Sequence, residues 1–472
     1  MDLHTGTLQA APVRLFAGGA IRRLRREAGL GQAACAARLG LSVSYLSQLE
    51  NDDRPVTAAV DAALARAFPA AWSRAQGVHL AGLAEALADP LFADLDEAPG
   101  LARAGEAAPA LAQRFLRLHA AWRATEEARH MRDEALASGV SGGEGARLPW
   151  EEVRDWFHLA GNYVDPIDRA AEALADALGG ADDEALARRL RDRHGVVIDT
   201  AGGEAQPLRA FDRAARRLTI DRVAPPASRR FLLAHQLAAM ELDGEIAVVA
   251  AAADLRTGEA RRLLAVGLAN YAAGALTMPY GDFRTAARAM RHDIDRLAQR
   301  FAVSFEQACH RLSTLQRPDA RGLPVFFCRV DMAGNITKRH SATRLQFARF
   351  GGACPLWIVH EAVAIPDRIL VQLAETPDGV RYVSMAKGLV KPSGSFARAP
   401  RRYAVALGCE ASHAAEFIYA DGIDVSTGAA TPIGISCRLC PRPDCDQRAF
   451  PPAERPIAVD PDVRGVVPYK VL

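Results

Sequence analysis

Phe231-Leu-Leu-Ala-His235-Gln236-Leu-Ala-Ala239-Met240 decides how the middle of this 472-residue chain is read. Its His falls where the pattern H-E-x-x-H would begin. In that pattern two His at i and i+4 share one helix face and grip zinc, and the Glu takes a proton from the metal-bound water. Here Gln236 stands for the Glu and Ala239 for the second His. Gln is no base near neutral pH and Ala binds no metal, so either change cripples hydrolysis. A hydrolytic scaffold kept without its chemistry points to binding. Two readings of His235 stay open: a buried side chain hydrogen-bonded to backbone, or a group in contact with a ligand.

Outward from this stretch, the bulk numbers set bounds. A chain of this length exceeds one hydrophobic core, so two to four domains are expected. Composition is that of a globular protein, 50% apolar and 24% charged, and the net charge of +2 leaves room for a local basic patch. The longest apolar run, Ile246 to Ala253, stops at Asp254. It is too short to span a bilayer, and the first 30 residues lack the apolar core of a signal peptide, so a cytoplasmic location is expected. In that compartment the eight cysteines are not expected to form structural disulfides, and a tight cysteine group points to metal.

Toward the N-terminus, Ile21 to Ala28 reads as a helix carrying Arg22, Arg23, Arg25 and Arg26. Gln32 to Leu39 is a second helix closed by Gly40, and Ser42 caps a third, Val43 to Glu50, followed by Asn51 and a loop with Arg54. This is the pattern of a helix-turn-helix, whose last helix enters the major groove of double-stranded DNA. Ser44, Tyr45, Ser47 and Gln48 then face base edges, and Gln can pair with adenine in two-pronged fashion. Arg22, Arg23, Gln32, Ser42, Asn51 and Arg54 complete the expected DNA contacts, the arginines and Gln32 suiting phosphates. The segment resembles the XRE (Cro/repressor-like) family through Ala36-x-x-Leu39-Gly40 and Ser42-x-Ser-Tyr-Leu-Ser-x-Leu-Glu50. It departs from that family at Gly31, where a Thr cap is usual, and at Cys35, where a larger apolar residue is common. Gly still serves at an N-cap.

Residues 76–148 are Ala-rich and read as helical, broken by Ala98-Pro-Gly and by a loop from Ser138 to Gly145. Leu111, Phe115, Leu118 and Trp122 form an apolar stripe, to be covered by a neighbouring helix or by a second subunit. Residues 150–316 read as mostly helical, with strands at Gly195–Asp199 and Arg217–Asp221. Beyond Pro318, β-rich runs appear at Pro324–Val330, Leu356–Val359, Arg381–Met385 and Tyr403–Leu407.

Around His235 the sequence resembles the ImmA/IrrE family of metallopeptidase-like domains, and Leu268-Ala-Asn-Tyr271 through Met278-Pro279-Tyr280 looks like that family's helix beyond the active site. Glu259 precedes it as the nearest acidic residue, but a lone carboxylate without two His makes a poor zinc site. A retained cleft lined by Tyr271, Met278 and Tyr280 is expected to take a small apolar-tailed molecule.

Near the C-terminus, Cys437-x2-Cys440-x4-Cys445 places three thiols on one loop, and Cys409 is taken as the fourth. Four thiolates suit tetrahedral zinc or an iron–sulfur cluster, and Arg438, Arg442 and Arg448 would favour the anionic cluster. Cys35, Cys309, Cys328 and Cys354 read as ordinary buried thiols.

Several motifs are more specific: Ser304-Phe-Glu-Gln-Ala-Cys-His-Arg-Leu312, Val330-Asp-Met-Ala-Gly-Asn-Ile-Thr-Lys-Arg339, Phe347 to Trp357, Thr431-Pro-Ile-Gly434, and Gln447 to Pro452. With the cysteine loop they resemble the short-chain fatty acyl-CoA regulator family of bacterial transcription factors. The resemblance implies a regulator of propionate, acetate or glyoxylate metabolism that senses acyl-CoA esters. It also implies a 4Fe-4S cluster on Cys409, Cys437, Cys440 and Cys445, with zinc as the alternative metal. CoA phosphates call for cations, and Lys338, Arg339, Arg344 and Arg349 are the expected group.

The expected fold class is multidomain and mainly α, with an α+β C-terminal part. Residues 1–75 form an all-α helix-turn-helix domain and 76–148 a helical linker or dimerisation region. Residues 149–318 form a degenerate, zincin-like helical domain, and 319–472 a β-rich, metal-bearing acyl-CoA-sensing domain. A homodimer on a two-fold DNA site is the expected assembly, with no enzymatic activity. Two other readings stay open: a redox- or iron-responsive regulator signalling through the cysteines, and a regulator of metallopeptidase type that cleaves a partner.

Overall fold

The computed structural model describes residues 17–51, 53–68, 148–202, 207–345, 347, 352–452 and 455–472, and within 69–147 only positions 86, 89, 111–112, 114–123 and 125. The chain forms two compact units, Met1–His130 and Met131–Leu472.

In the first unit, α1 (Gly18–Glu27), α2 (Gln32–Leu39), α3 (Val43–Glu50) and α4 (Ala58–Ala67) surround a small core of Ile21, Leu24, Cys35, Leu39, Leu46, Leu49 and Leu64. Gly40 ends α2 at φ +69°, a left-handed conformation that costs Gly little, and so sets the tight turn. Ser42 then accepts the Tyr45 amide at 3.1 Å, starting α3 as the sequence predicts. Gly31 caps α2 with no side-chain bond. Residues 111–112 and 114–123 are helical; the loop from Ser138 to Gly145 lies outside the described residues.

The second unit opens with α5 (Pro149–Leu159), α6 (Asp165–Leu178) and α7 (Asp183–His194). A three-stranded sheet follows: β1 (Val197–Ala201), β2 (Arg209–Asp212) and β3 (Arg217–Asp221), in the order β1-β3-β2. Then come α8 (Pro226–Glu241), α9 (Asp243–Ala252) and α10 (Gly258–Thr277). Their apolar stripes meet in one core through Ile167, Leu186, Leu218, Leu237, Leu264 and Leu268.

A second core begins on α11 (Tyr280–Ala289), α12 (Ile294–Phe301) and α13 (Phe305–Ser313), the last opened by a reciprocal cap between Ser304 and Gln307. These helices cover one face of a six-stranded sheet. Its strands are β4 (Phe326–Asp331), β5 (Ile336–Ser341), β6 (Ile369–Glu375), β7 (Arg381–Lys391), β8 (Arg401–Glu410) and β9 (Thr431–Pro432), in the order β5-β4-β8-β7-β6-β9. Side chains alternate along each strand. Val383, Met385, Val405, Leu407 and Cys409 face the helices, while Tyr382, Ala386, Ala404 and Ala406 face Trp357 and a short helix, α14 (Val359–Ala364). The second core therefore runs from Met278 to Ala420, across the texture change at Pro318.

Leu356–Val359 is not a strand. The Cys354-Pro355 turn enters α14, whose Val359, Ala362 and Val363 sit at helical spacing against the sheet, and Trp357 Nε1 donates to Ser384 Oγ at 3.1 Å. Short strands β10 (Ile457–Ala458) and β11 (Lys470–Val471) pair near the C-terminus. Among the described residues no helix is long and apolar enough to cross a membrane.

Candidate functional site

The face of α3 expected to meet DNA is presented as the sequence implies. Ser44 is exposed, and Tyr45, Ser47 and Gln48 are partly exposed beside buried Leu46 and Leu49. The surrounding polar residues are more committed than expected. Glu50 is buried and accepts Arg25 Nε at 2.6 Å and Gln32 Nε2 at 2.9 Å. Burial works to raise its carboxyl, but the bonds from Arg25 and Gln32 outweigh it and hold the pKa below the usual range. Arg22 donates to the Glu50 carbonyl at 2.8 Å and to the Asn51 side chain. Gln32, Arg22 and Asn51 thus brace the recognition helix, whereas Arg23 and Arg54 are exposed, the latter stacked near Tyr45.

In the second unit, His235 is buried with its Nδ1 unpartnered, and burial together with Arg209 lowers its pKa to about 4. Nδ1 makes none of the backbone hydrogen bonds expected of a buried histidine. Arg209, on β2, donates to the side-chain amide oxygen Oε1 of Gln236, and burial lowers its own pKa. A guanidinium beside His235 and Gln236 brings positive charge to a motif that has lost its base and its second metal ligand. Nothing in the sequence around the motif signals this residue, because β2 lies apart from it.

Tyr271 and Tyr280 do not line a cleft, which corrects the expectation from the sequence. Tyr271 is fully buried, donating to Asp168 at 2.7 Å and accepting the Val164 amide. Tyr280 donates to the Ala320 carbonyl, accepts the Arg317 amide, and has the Arg317 guanidinium 4.0 Å above its ring. Asp168 also receives Arg311 at 2.6 Å and Arg317 at 3.3 Å. Helix–helix and helix–sheet packing consumes both phenols, and apolar spacing alone does not separate that role from a ligand contact.

A cationic cluster does form, on the helix side of the sheet. Lys338 of β5, Arg329 of β4 and Lys391 of β7 converge on Glu306 of α13, with Arg329 at 2.9 Å and Lys338 at 3.7 Å. Burial pushes the Glu306 carboxyl up, yet Lys338, Lys391 and Arg329 outweigh it and hold its pKa at about 2. Three cations against one carboxylate leave a positive excess. Lys338 keeps 46% of its side-chain surface open to water, although desolvation by the surrounding protein lowers its pKa. His310 and His340 stand beside it with ring centroids 5.3 Å apart. Burial and Lys338 lower His310 to about 3, and burial with His310 drives His340 well down, so both stay neutral. Of the expected cations, Lys338 belongs here. Arg339 donates to the Phe347 carbonyl, Arg344 pairs with Glu410 at 2.7 Å, and Arg349 lies outside the described residues.

The cysteine group is the largest correction. Cys437, Cys440 and Cys445 ring a cavity whose fourth thiol is Cys354, not Cys409. The period of β8 decides this. Cys409 shares a face with Val405 and Leu407, its thiol is packed into the helix-side core, and burial pushes its pKa up to about 12. Cys354 belongs to the cluster on the opposite face, with Ile433 and Trp357. The alternation in Ala404-Val-Ala-Leu-Gly-Cys409 carries the signal that excludes Cys409. Arg442 donates to the Glu375 carbonyl at 2.7 Å and Arg448 to the Cys437 carbonyl at 3.2 Å, so both clamp the loop while lining the same cavity. Among the described residues no group of three His, Cys, Asp or Glu is arranged to hold one metal ion. Yet a Cβ at Gly434 would come within 2.9 Å of Cys440 Sγ, so the loop keeps space open at the thiols. Four thiols lining one cavity are a donor set that zinc or an iron–sulfur cluster would accept.

A helix-turn-helix unit on one chain with a motif whose Gln236 and Ala239 replace the base and second His, and with a sheet domain, has the plan of a DNA-binding transcription regulator. Comparison with known proteins places it further. Residues 17–71 match a helix-turn-helix domain, 191–313 the IrrE N-terminal-like domain, and 314–469 the short-chain fatty acyl coenzyme A regulator C-terminal domain. The chain is 47% identical to the propionyl-CoA carboxylase regulator of Cereibacter sphaeroides, over 97% of this chain and 99% of that one. It is 40% identical to the transcriptional regulator PrpR of Mycobacterium tuberculosis, over 97% and 96%. It is 38% identical to that organism's RamB, over 97% and 99%. A solved Mycobacterium tuberculosis transcriptional regulator superposes with a TM-score of 0.65 at 41% identity, covering 68% of this chain and 99% of that one. The chain belongs to the short-chain fatty acyl-CoA regulator family of DNA-binding transcriptional regulators.

Proposed function

We propose that this regulator binds a short-chain acyl-CoA ester in its second unit and that the ester alters its affinity for DNA. The observation that carries the reading is the excess positive charge at Arg329, Lys338 and Lys391, gathered around one carboxylate with Lys338 and Lys391 partly open to water. Phosphates of CoA suit such cations, and the neutral rings of His310 and His340 add polar contacts without charge. Arg209 beside His235 is a second place for an anionic group. The propionyl-CoA carboxylase regulator among the relatives supports an ester of short acyl chain.

Cys354, Cys437, Cys440 and Cys445 would hold an iron–sulfur cluster, with zinc as the alternative. Such a cluster, when bound, supplies cross-linking of the cysteine loop and a redox-active centre. Arg442 and Arg448 hold the loop carbonyls and place positive charge beside the thiolates. The recognition helix lies in the major groove, with Ser44, Tyr45, Ser47 and Gln48 toward bases and Arg23 and Arg54 toward phosphates. Exposed Leu111 and Leu118 on the helical stretch support a homodimer, acting in the cytosol.

The test is binding of anaerobically purified protein to its own upstream DNA with acetyl-, propionyl- or butyryl-CoA. An affinity shift with one ester, lost in Lys338→Ala, supports the reading. DNA binding indifferent to every ester but changed by oxidation transfers the signal to the cysteine site.

A further inference from the structure

The hairpin between β7 and β8 carries a feature the acyl-CoA reading does not use. The β7–β8 ladder continues through Val390–Arg402 to Lys391–Arg401, while β4 pairs with β8 only as far as Tyr403 and β6 with β7 only as far as Lys387. The last rungs are therefore a two-stranded ribbon standing beyond the sheet. Its connection, 392–400, holds no acidic residue. Arg398, Arg401 and Arg402 are exposed and make no ion pair among the described residues. Phe396 is fully exposed near the tip, an unfavourable place for an apolar ring unless something covers it.

The tip is held in shape by its own hydrogen bonds. Ser393 Oγ lies 2.7 Å from the carbonyl oxygens of both Ser395 and Arg398, and Ser395 Oγ accepts the Ala397 amide at 3.2 Å. Pro392 and Pro400 restrict its two ends. The tip also stands close to Val223 at Gly394, and from this support the exposed arginines and Phe396 face solvent.

We propose that this ribbon is a second DNA contact of the regulator, beside the helix-turn-helix. Three guanidinium groups without an acidic partner suit consecutive phosphates, and a two-stranded ribbon has the width of the major groove. Phe396 supplies an apolar surface for sugar or base contact. An anionic lipid surface would also attract such a tip, but the chain already carries a DNA-binding domain, so duplex DNA is the partner the charge fits.

The experiment compares full-length protein with the triple variant Arg398→Ala, Arg401→Ala, Arg402→Ala, with Phe396→Ala, and with Arg23→Ala as the helix-turn-helix control. Affinity for upstream DNA is measured by anisotropy from about 50 to 200 mM salt, with hydroxyl-radical footprinting alongside. The triple variant should bind at least tenfold more weakly. The slope of its log Kd against log salt should flatten by about one for each phosphate no longer engaged. It should also lose a protected flank while protection over the helix-turn-helix half-site stays. Phe396→Ala should weaken binding with an unchanged salt slope. All substituted positions are exposed, so melting temperatures should match the parent and exclude misfolding. Unchanged slope and footprint in the triple variant overturn the proposal. So does loss of binding to vesicles of equal phosphatidylglycerol and phosphatidylcholine with DNA affinity intact, which would assign the ribbon to a membrane surface.

Discussion

At the scale of single residues, two cysteines divide sharply. On the proposed iron–sulfur site, Cys354→Ser should abolish iron and acid-labile sulfide in the purified protein, because it removes a thiol from the ring. Cys409→Ser should keep both and cost about 1–3 kcal/mol, since it buries a hydroxyl in an apolar core. Equal metal loss in the two variants would return Cys409 to the site. The spacing of Cys437, Cys440 and Cys445 was legible because all three sit on one loop. The fourth thiol was not, since Cys354 arrives from a turn more than eighty residues away and sequence spacing is blind to which strand face a residue takes. The histidines make a pH prediction. His235 and His310 titrate at about 4 and about 3 in the fold, against an ordinary value of 6.5, so the unfolded chain binds more protons between those limits. Stability should therefore be full above pH 7 and fall as pH drops toward 4. Melting temperatures at pH 7 and pH 5 check this, and His310→Gln should narrow the difference.

At the scale of elements, the recognition helix was readable almost to the residue, because its cap, its glycine turn and its apolar spacing all lie within twelve positions. Its brace was not: Arg25, Gln32 and Glu50 are brought together only by the fold, and Gln32 looked like a phosphate contact. Glu50→Ala leaves Arg25 without its buried partner and should destabilise the first unit by about 3 kcal/mol. Hydrogen exchange across 18–50 would show it, and unchanged protection would make the pair ornamental. The same packing explains Gly18, where a Cβ would run into the Leu49 carbonyl oxygen. Gly18→Ala should push α1 off α3 and weaken DNA binding without touching a DNA-facing side chain. The run Leu356–Val359 misled because four apolar residues fit a strand and a helix turn equally well. Pro355 before it and Ala362-Val363 after it settle the matter.

At the scale of the whole molecule, the broad plan was legible: a helix-turn-helix, a helical centre with a disarmed motif and a sheet-bearing end. What the sequence hid is how the last two regions join. The matched domains meet at 313–314 and the sequence texture changes at Pro318, yet the core passes through both, and Asp168 holds Arg311 from before the domain boundary and Arg317 from after it. Asp168→Ala should cost about 3–5 kcal/mol by leaving the buried Arg311 without its carboxylate, while Arg317 keeps Glu172 at 2.8 Å. Calorimetry of residues 148–472 should show one transition, and two separated transitions would disprove the shared core. For inheritance, this makes the seam a poor place to recombine. A chimaera that takes residues up to 313 from this chain and the remainder from a relative must inherit a cation matching Arg317, or it carries a half-filled acidic socket. The two regions are therefore expected to pass between lineages as one indivisible cassette.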